Sequence, residues 1–321
     1  MNNPVYDSVV VSVPNRFHMF TTRSHFNVNG ETGGAGISIS TSNTMRITAS
    51  AYEKSKPLVL DSFCQIMKKE LRYDGYFDVM YNEKEAFPVH SGFGTNISKI
   101  TALCFGINYM FGKVLSNGYL RNLIMDNYCE QEGDVLVRGL DTGCGTACSL
   151  YGGLNLSINN NSFVHLEPHN ELAVLSFIPS NEKFNKIINF SEENTDSSQS
   201  SLNDDISLNE RMNLIYKSFI PAILMEDWAT IGEDVAMLHT MGVKRMECMR
   251  YDYGFECNLI KDLRKKGALV VGLSSLGPTN YCIVTDKNKM HIKDYLYSSN
   301  ITQHIWEHTI NKKGIDVIVD L

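Results

Sequence analysis

From Pro88 to Thr95 the chain reads Pro-Val-His-Ser-Gly-Phe-Gly-Thr, and immediately afterwards Ile97, Ile100, Cys104, Ile107 and Phe111 recur at three- and four-residue intervals. The recurrence predicts a buried helix. The segment before it supplies a rigid entry, a pair of glycines and a hydroxyl at the helix start. Glycine backbones can crowd against an anion while the free amides of a first helical turn, and the positive end of its dipole, face it. His90, Ser91, Gly92, Gly94, Thr95 and Asn96 are therefore candidate phosphate or pyrophosphate contacts, with an ordinary strand-to-helix turn as the competing reading. Lys99, one turn further on, reads as solvent-facing.

Strand and helix signals alternate around this join. Ser8 to Val13, Gly36 to Ser40 and Met45 to Ala49 are short β-type runs set among Asn, Gly and Thr clusters, which predicts a meandering sheet. Leu58, Leu60, Phe63, Ile66 and Met67 fall near helical spacing after Pro57, and Tyr76 to Tyr81 reads as the next strand. Gly139 to Gly153 holds five glycines among small residues, followed by Leu154, Leu156 and Ile158 at alternating positions. Small residues let backbone and ligand approach closely. Asn189 to Asp205 has almost no apolar anchors and predicts a disordered surface loop.

It ends at a capping box, Ser207 to Glu210. Two helices are expected after it, divided at Pro221 and closed by Gly242, with Met225, Met237 and Met241 in the core. A helix from about Phe255 to Lys266, an apolar strand, the turn Leu273 to Pro278 and a strand from Tyr281 to Val284 complete the pattern. His304 to His308 matches the spacing His-x-x-Glu-His, but only thirteen residues follow, so a third metal ligand has no place and an amphipathic C-terminal helix is expected instead.

A length of 321 residues with 43% hydrophobic content suits two modest domains sharing an interface, divided near 1–165 and 166–321. The net charge of −7, without a broad basic face, argues against a nucleic-acid partner. The longest apolar run, around Ala268 to Leu276, is too short to span a bilayer, and no cleavable leader pattern opens the chain, so no membrane association and a cytoplasmic location are expected. Eight cysteines without a CxxC pair read as reduced structural thiols and not as a zinc or disulfide framework.

The loop at Pro88 to Thr95 resembles the second motif of the GHMP kinase superfamily, a proline followed by a Gly-x-Gly-Ser/Thr loop that opens a helix. Gly272 to Thr279 is similar to that superfamily's third, glycine-rich motif in the variant Gly-x-Ser-Ser-x-Gly-Pro-Thr, characteristic of the β-ribofuranosylaminobenzene 5′-phosphate synthase family. Arg16-Phe17-His18 followed by Gly33-Gly34-Ala35-Gly36 resembles the same family's opening. Arg138 to Gly145 resembles its Arg-Gly-Gly-Thr-Ser-Gly-x-Gly run, departing at Leu140 and Asp141. In mevalonate-kinase-like members an aspartate precedes a Gly-Gly pair by seven residues. With Gly152-Gly153 as that pair, Gly145 stands in the aspartate's place and has no side chain to accept a proton.

The resemblance implies an α+β, two-domain fold: a ribosomal-S5-like N-terminal domain and a ferredoxin-like C-terminal domain. It implies a C-riboside synthase that joins phosphoribosyl pyrophosphate to the ring carbon of a small aromatic amino acid, with loss of CO2 and pyrophosphate. Magnesium is the expected cofactor, with Asp141 as its candidate ligand, and a homodimer is compatible with the superfamily. On this reading His18, Arg138 and Asp141 are catalytic candidates, and Gly143, Ser274, Ser275 and Gly277 join the anion contacts. Arg16 and Thr142 face the arene. Each has a plainer alternative: a surface salt bridge for Arg138, a core histidine for His18, a loop brace for His90. The competing functions are an ATP-dependent kinase with Asp141 as base, and a catalytically silent binder of phosphosugars or nucleotides.

Overall fold

The computed structural model describes residues 3–23, 33–81, 91–139, 141–158, 163–169, 171–185 and 207–320. His90, Leu140 and the stretch 189–205 lie outside the described residues.

Strands β1 (Ser8–Arg23) and β2 (Gly33–Ser50) form one long antiparallel pair. The short runs read from the sequence join because the polar residues between them stay in register: Ser12 faces Thr44 and Val13 faces Asn43. Asn43 Nδ2 donates to Asn15 Oδ1 at 2.6 Å, so buried amides satisfy each other. Helix α1 (Leu58–Leu71), strand β3 (Tyr76–Tyr81) and helices α2 (Thr95–Met110) and α3 (Asn117–Asn127) follow. Val9, Val11 and Ile47 on the sheet pack against Phe63 and Met67 of α1 and Ile100, Cys104 and Ile107 of α2 in one core. Period-two and period-3.6 faces meet there, as apolar patterning requires.

Next come the hairpin β4 (Cys129–Glu132) and β5 (Val135–Arg138), helix α4 (Cys144–Tyr151), and strands β6 (Leu154–Ser157), β7 (Phe163–Leu166) and β8 (Leu172–Phe177). A long helical segment α5 (207–225) leads to α6 (Trp228–Leu238), α7 (Gly242–Tyr251), α8 (Tyr253–Lys265), β9 (Val270–Leu273), β10 (Asn280–Thr285), α9 (Asp286–Ser298), β11 (Ile305–Thr309) and β12 (Asp316–Asp320). The larger sheet runs β12-β1-β2-β6-β7 with β3 also on β2, and the second runs β11-β8-β10-β9. Helices α8 and α9 cover one face of the second sheet through Leu259, Leu263, Ile292 and Leu296. A further core joins Phe17, Phe20 and Phe93 to Phe219, Trp228 and Tyr281 from the later part of the chain. The α+β class expected from the sequence is the class found.

Several local expectations are corrected. His304 to His308 is not helical: β11 pairs with β8 and buries Ile305 on one face of the sheet and His308 on the other, with Ser176 Oγ 2.9 Å from His308 Nε2. Pairing with a neighbour strand outweighs a weak local helical pattern. Pro221 does not divide helices, because a π-turn, Ile215–Phe219, immediately precedes it. A widened turn absorbs the mismatch created by a residue that lacks an N–H. The break falls instead at Glu226, with φ of 53°, and Asp227 then caps α6 by accepting from Thr230 N at 3.2 Å. Gly242 opens α7 and does not close α6. Met225 and Met237 are 79% and 49% exposed, so neither is core. The cysteines are unbridged and mostly buried. No described helix is long and apolar enough to cross a membrane.

Candidate functional site

Arg16, Phe17 and His18 sit between irregularities in the β1–β2 ladder, one between Pro14 and Arg16 and another between His18 and Phe20. Bulges of this kind re-aim side chains. Phe17 turns into the core, stacked on Tyr281 at 5.4 Å and tilted against Phe93 at 5.2 Å. Arg16 turns toward two helix starts. The Cβ positions of Gly94, which precedes α2, and of Gly145, in the first turn of α4, lie 3.1 and 3.5 Å from Arg16 Nε. Gly94 has φ of 68° and Gly143, which precedes α4, has φ of 73°; no side chain of either residue caps its helix. The positive ends of two helices and a guanidinium thus converge, a concentration of positive potential suited to an anion. Arg16 Nε and Nη1 are buried and have no hydrogen-bond partner among the described residues.

His18 is 4% exposed, and neither ring nitrogen has a hydrogen-bond partner among the described residues. Its Nε2 lies 2.9 Å from the Cβ position of Gly34, which is itself 2.9 Å from Thr142 Cβ. Burial, reinforced by the charges of Arg16 and Lys244, holds its pKa well below the usual value, so the ring is neutral. A buried neutral imidazole with one donor and one acceptor unused is poised for a ligand's polar groups.

The loop before α2 is locked by the third glycine-rich segment. Ser274 Oγ accepts from His18 N at 3.0 Å and donates to Gly92 O at 2.6 Å, and Thr279 Oγ1 donates to Ser91 O at 2.5 Å. A Cβ on Gly277 would lie 2.2 Å from Gly92 N, so only glycine permits this contact. Ser274 was expected to bind phosphate. Its single proton is already committed, and it positions the loop. Ser275 has φ of 53°, and its carbonyl lies 3.4 Å from Lys244 Nζ.

Asp141 is buried, and its carboxylate accepts from Gly143 N at 3.0 Å and Thr146 Oγ1 at 3.3 Å. It thereby holds the start of α4, while burial raises its pKa against the opposing pull of these bonds and of Arg16. Thr142 Oγ1 lies 3.1 Å from Cys144 Sγ. Arg138 is not gathered with these residues; it stands exposed at the end of β5.

Glu130, not singled out from the sequence, belongs to the cluster. It is 3% exposed, accepts from Tyr128 Oη and from Asn96 Nδ2, and lies within the field of Arg16. Burial pushes its pKa up to about 7 despite the hydrogen bonds and that charge. No sequence signal marks it, because Asn96, which brings it to the anion loop, is 34 residues away along the chain. For magnesium, an oxygen-seeking cation, the Glu130 carboxylate and the adjoining Asn96 side chain are the fitting donors beside the anion loop. Asp141, bound to its own helix, is the poorer candidate. Among the described residues no group of three or more His, Cys, Asp or Glu side chains gathers as a metal site. Alongside, a cavity of about 330 Å³ is lined by Pro57, Leu60, Tyr81, Asn96 and Lys99. Lys99 faces the Tyr81 ring at 4.3 Å and does not simply extend into solvent.

No family model matches the chain, and no curated protein matches it in sequence. Solved structures match over nearly its whole length. A homoserine kinase from Cytophaga hutchinsonii superposes with a TM-score of 0.70 at 16% identity, covering 99% of each chain. Mevalonate kinase from L. major, in complex with R-mevalonate, gives 0.66 at 14%, covering 98% of this chain and 100% of that one. The mevalonate diphosphate decarboxylase from Enterococcus faecalis gives 0.65 at 14%, covering 98% and 99%. The architecture is therefore that of the GHMP kinases, in agreement with the resemblance of the motifs.

Proposed function

We propose that this chain is a transferase whose substrate carries a pyrophosphate group held at Arg16 and the two helix starts, and that it makes a C-riboside from phosphoribosyl pyrophosphate. The observation that carries the reading is Gly145: next to Arg16 and the anion loop there is a glycine, and Asp141, the carboxylate just before that helix, is engaged in holding the helix start. Phosphoryl transfer to an alcohol benefits from a carboxylate that takes the proton. Ribosyl transfer to an arene carbon needs anion stabilisation instead. The ring carbon that bears the carboxylate attacks C1 of the ribose, and the C1–O bond breaks with its electron pair leaving on pyrophosphate. The C–CO2 bond then breaks, returning its pair to the ring.

Arg16 and the starts of α2 and α4 stabilise the negative charge that develops on the leaving group. Neutral His18 orients the acceptor by a hydrogen bond, and the buried surroundings exclude water from the cationic sugar. Bound magnesium would neutralise pyrophosphate charge; Glu130 and Asn96 would hold it. A decarboxylase of the same architecture supports the compatibility of the fold with loss of CO2.

A second reading, an ATP-dependent small-molecule kinase, is favoured by the neighbours themselves, which are named homoserine kinase and mevalonate kinase and back it more directly at the level of fold. Fold alone does not select between reactions. Calorimetric titration with magnesium against phosphoribosyl pyrophosphate and, separately, ATP discriminates. Binding of the ribosyl donor, with CO2 release on adding 4-aminobenzoate or a related aromatic acid, is the expected result. ATP binding alone would replace this reading with the kinase, and binding without turnover of any substrate would favour a silent binder.

A further inference from the structure

Lys244 and Glu247 form an ion pair of 2.6 Å on α7 with side-chain exposures of 1% and 6%, deep behind the third glycine-rich segment. Such pairs contribute little net stability compared with apolar replacements of similar volume, so one placed here calls for another explanation. The elements on this side grip the segment at successive points. His239, just after α6, accepts from Leu273 N through Nε2 at 3.1 Å, and its Nδ1 lies 2.8 Å from Val235 O. Lys244 Nζ donates to Ser275 O at 3.4 Å, and Tyr251 Oη donates to Leu276 O. The turn between these grips is closed by Ser274 N donating to Thr279 O at 2.9 Å, with Ser275 in the left-handed region at φ of 53°. From the turn's other side Ser274, Gly277 and Thr279 fix Ser91 and Gly92.

We propose that Lys244, held by Glu247, is a positioning residue for the anion loop: by clamping the Ser275 carbonyl it keeps the strained turn in the one shape that lets Ser274 and Gly277 dock on Gly92. A non-glycine residue in the left-handed region persists only where its surroundings over-determine it. Lys244 supplies that constraint while Glu247 keeps its charge compensated. The inference concerns the loop's order and holds for either donor.

The test is the paired substitution K244M/E247L, which removes both charges and orphans neither, read by amide hydrogen exchange of residues 91–97 without ligand and by the urea midpoint. At least tenfold faster exchange in that segment, with the midpoint kept and exchange at the end of α2 unchanged, is expected. Magnesium pyrophosphate should bind at least tenfold more weakly to the same variant. Unchanged exchange at 91–97 in the folded variant overturns the proposal. Should that variant fail to fold, K244Q/E247Q is measured in the same way and decides by the same two results. Failure of the unsubstituted protein to bind pyrophosphate would count against the proposed function alone, leaving the exchange comparison decisive here.

Discussion

Glu256 is 1% exposed and accepts from Asn280 Nδ2 at 3.0 Å, and its second carboxylate oxygen has no partner among the described residues. Burial pushes its pKa from the ordinary 4.5 to about 7. The folded protein therefore binds this proton more tightly than the unfolded chain, so the stability it contributes is present in acid and is lost as pH rises through that window. Against Glu256→Gln, which stays neutral and keeps the acceptor, the unsubstituted protein should lose on the order of 3 kcal/mol between pH 4.5 and 7.5. Urea unfolding of both proteins at the two pH values checks this; a constant difference would mean that the carboxyl titrates normally. Asp141 offers a test tied to chemistry. Asp141→Asn keeps an acceptor for Gly143 N, so stability should change by less than ~1 kcal/mol. The rate of riboside formation should fall less than about tenfold, whereas a base role would cost roughly 10²–10⁴. At this scale the sequence exposed what is local. Arg16, His18 and the loop glycines stand in short motifs, but Glu130, beside its near neighbour Tyr128, meets Asn96 only when the β4–β5 hairpin comes against the start of α2. Arg138, motif or not, lies on the exposed side of that hairpin.

Among the elements, the interlock of the two glycine-bearing turns is the joint on which the site depends. Gly277→Ala would drive a methyl group to 2.2 Å from Gly92 N, so the turns must separate. The expected result is at least a tenfold loss of affinity for the pyrophosphate-bearing donor by calorimetry, with the far-ultraviolet circular dichroism unchanged. Retained affinity would show that the loop keeps its shape without the third segment. Helices with a continuous apolar period, α1 and α2, were legible because their cores lie on one face or all round. The β11 strand was not, since what makes His304 to Thr309 extended is the pairing of Trp306 with Ser176 and His308 with Val174, partners more than a hundred residues away. The same limit hid the π-turn before Pro221: the proline alone reads as a break, and the packing of Phe219 on Phe20, about two hundred residues away, is not local to it.

Across the whole molecule, composition suggests two domains, yet the structure ties the halves together twice. Strand β12, from the C-terminus, pairs with β1 in the first sheet, and Ile310 bridges to Ile39 beside it. The core around Phe17 draws on β1, the anion loop, α5, α6 and β10, so neither half can lose its structure without exposing the other's apolar face. Removing one large buried aromatic from that seam costs about 3–5 kcal/mol, a substantial part of a domain's whole stability. Unfolding is therefore expected as one cooperative transition. The fluorescence of Trp228 and Trp306, which pack in that seam, should follow the same urea curve as the backbone circular dichroism contributed by both sheets. Phe17→Ala should shift both curves together to lower urea. Separation of the two signals, in either protein, would mean that the halves are independent folding units and that the seam closes only after each has formed.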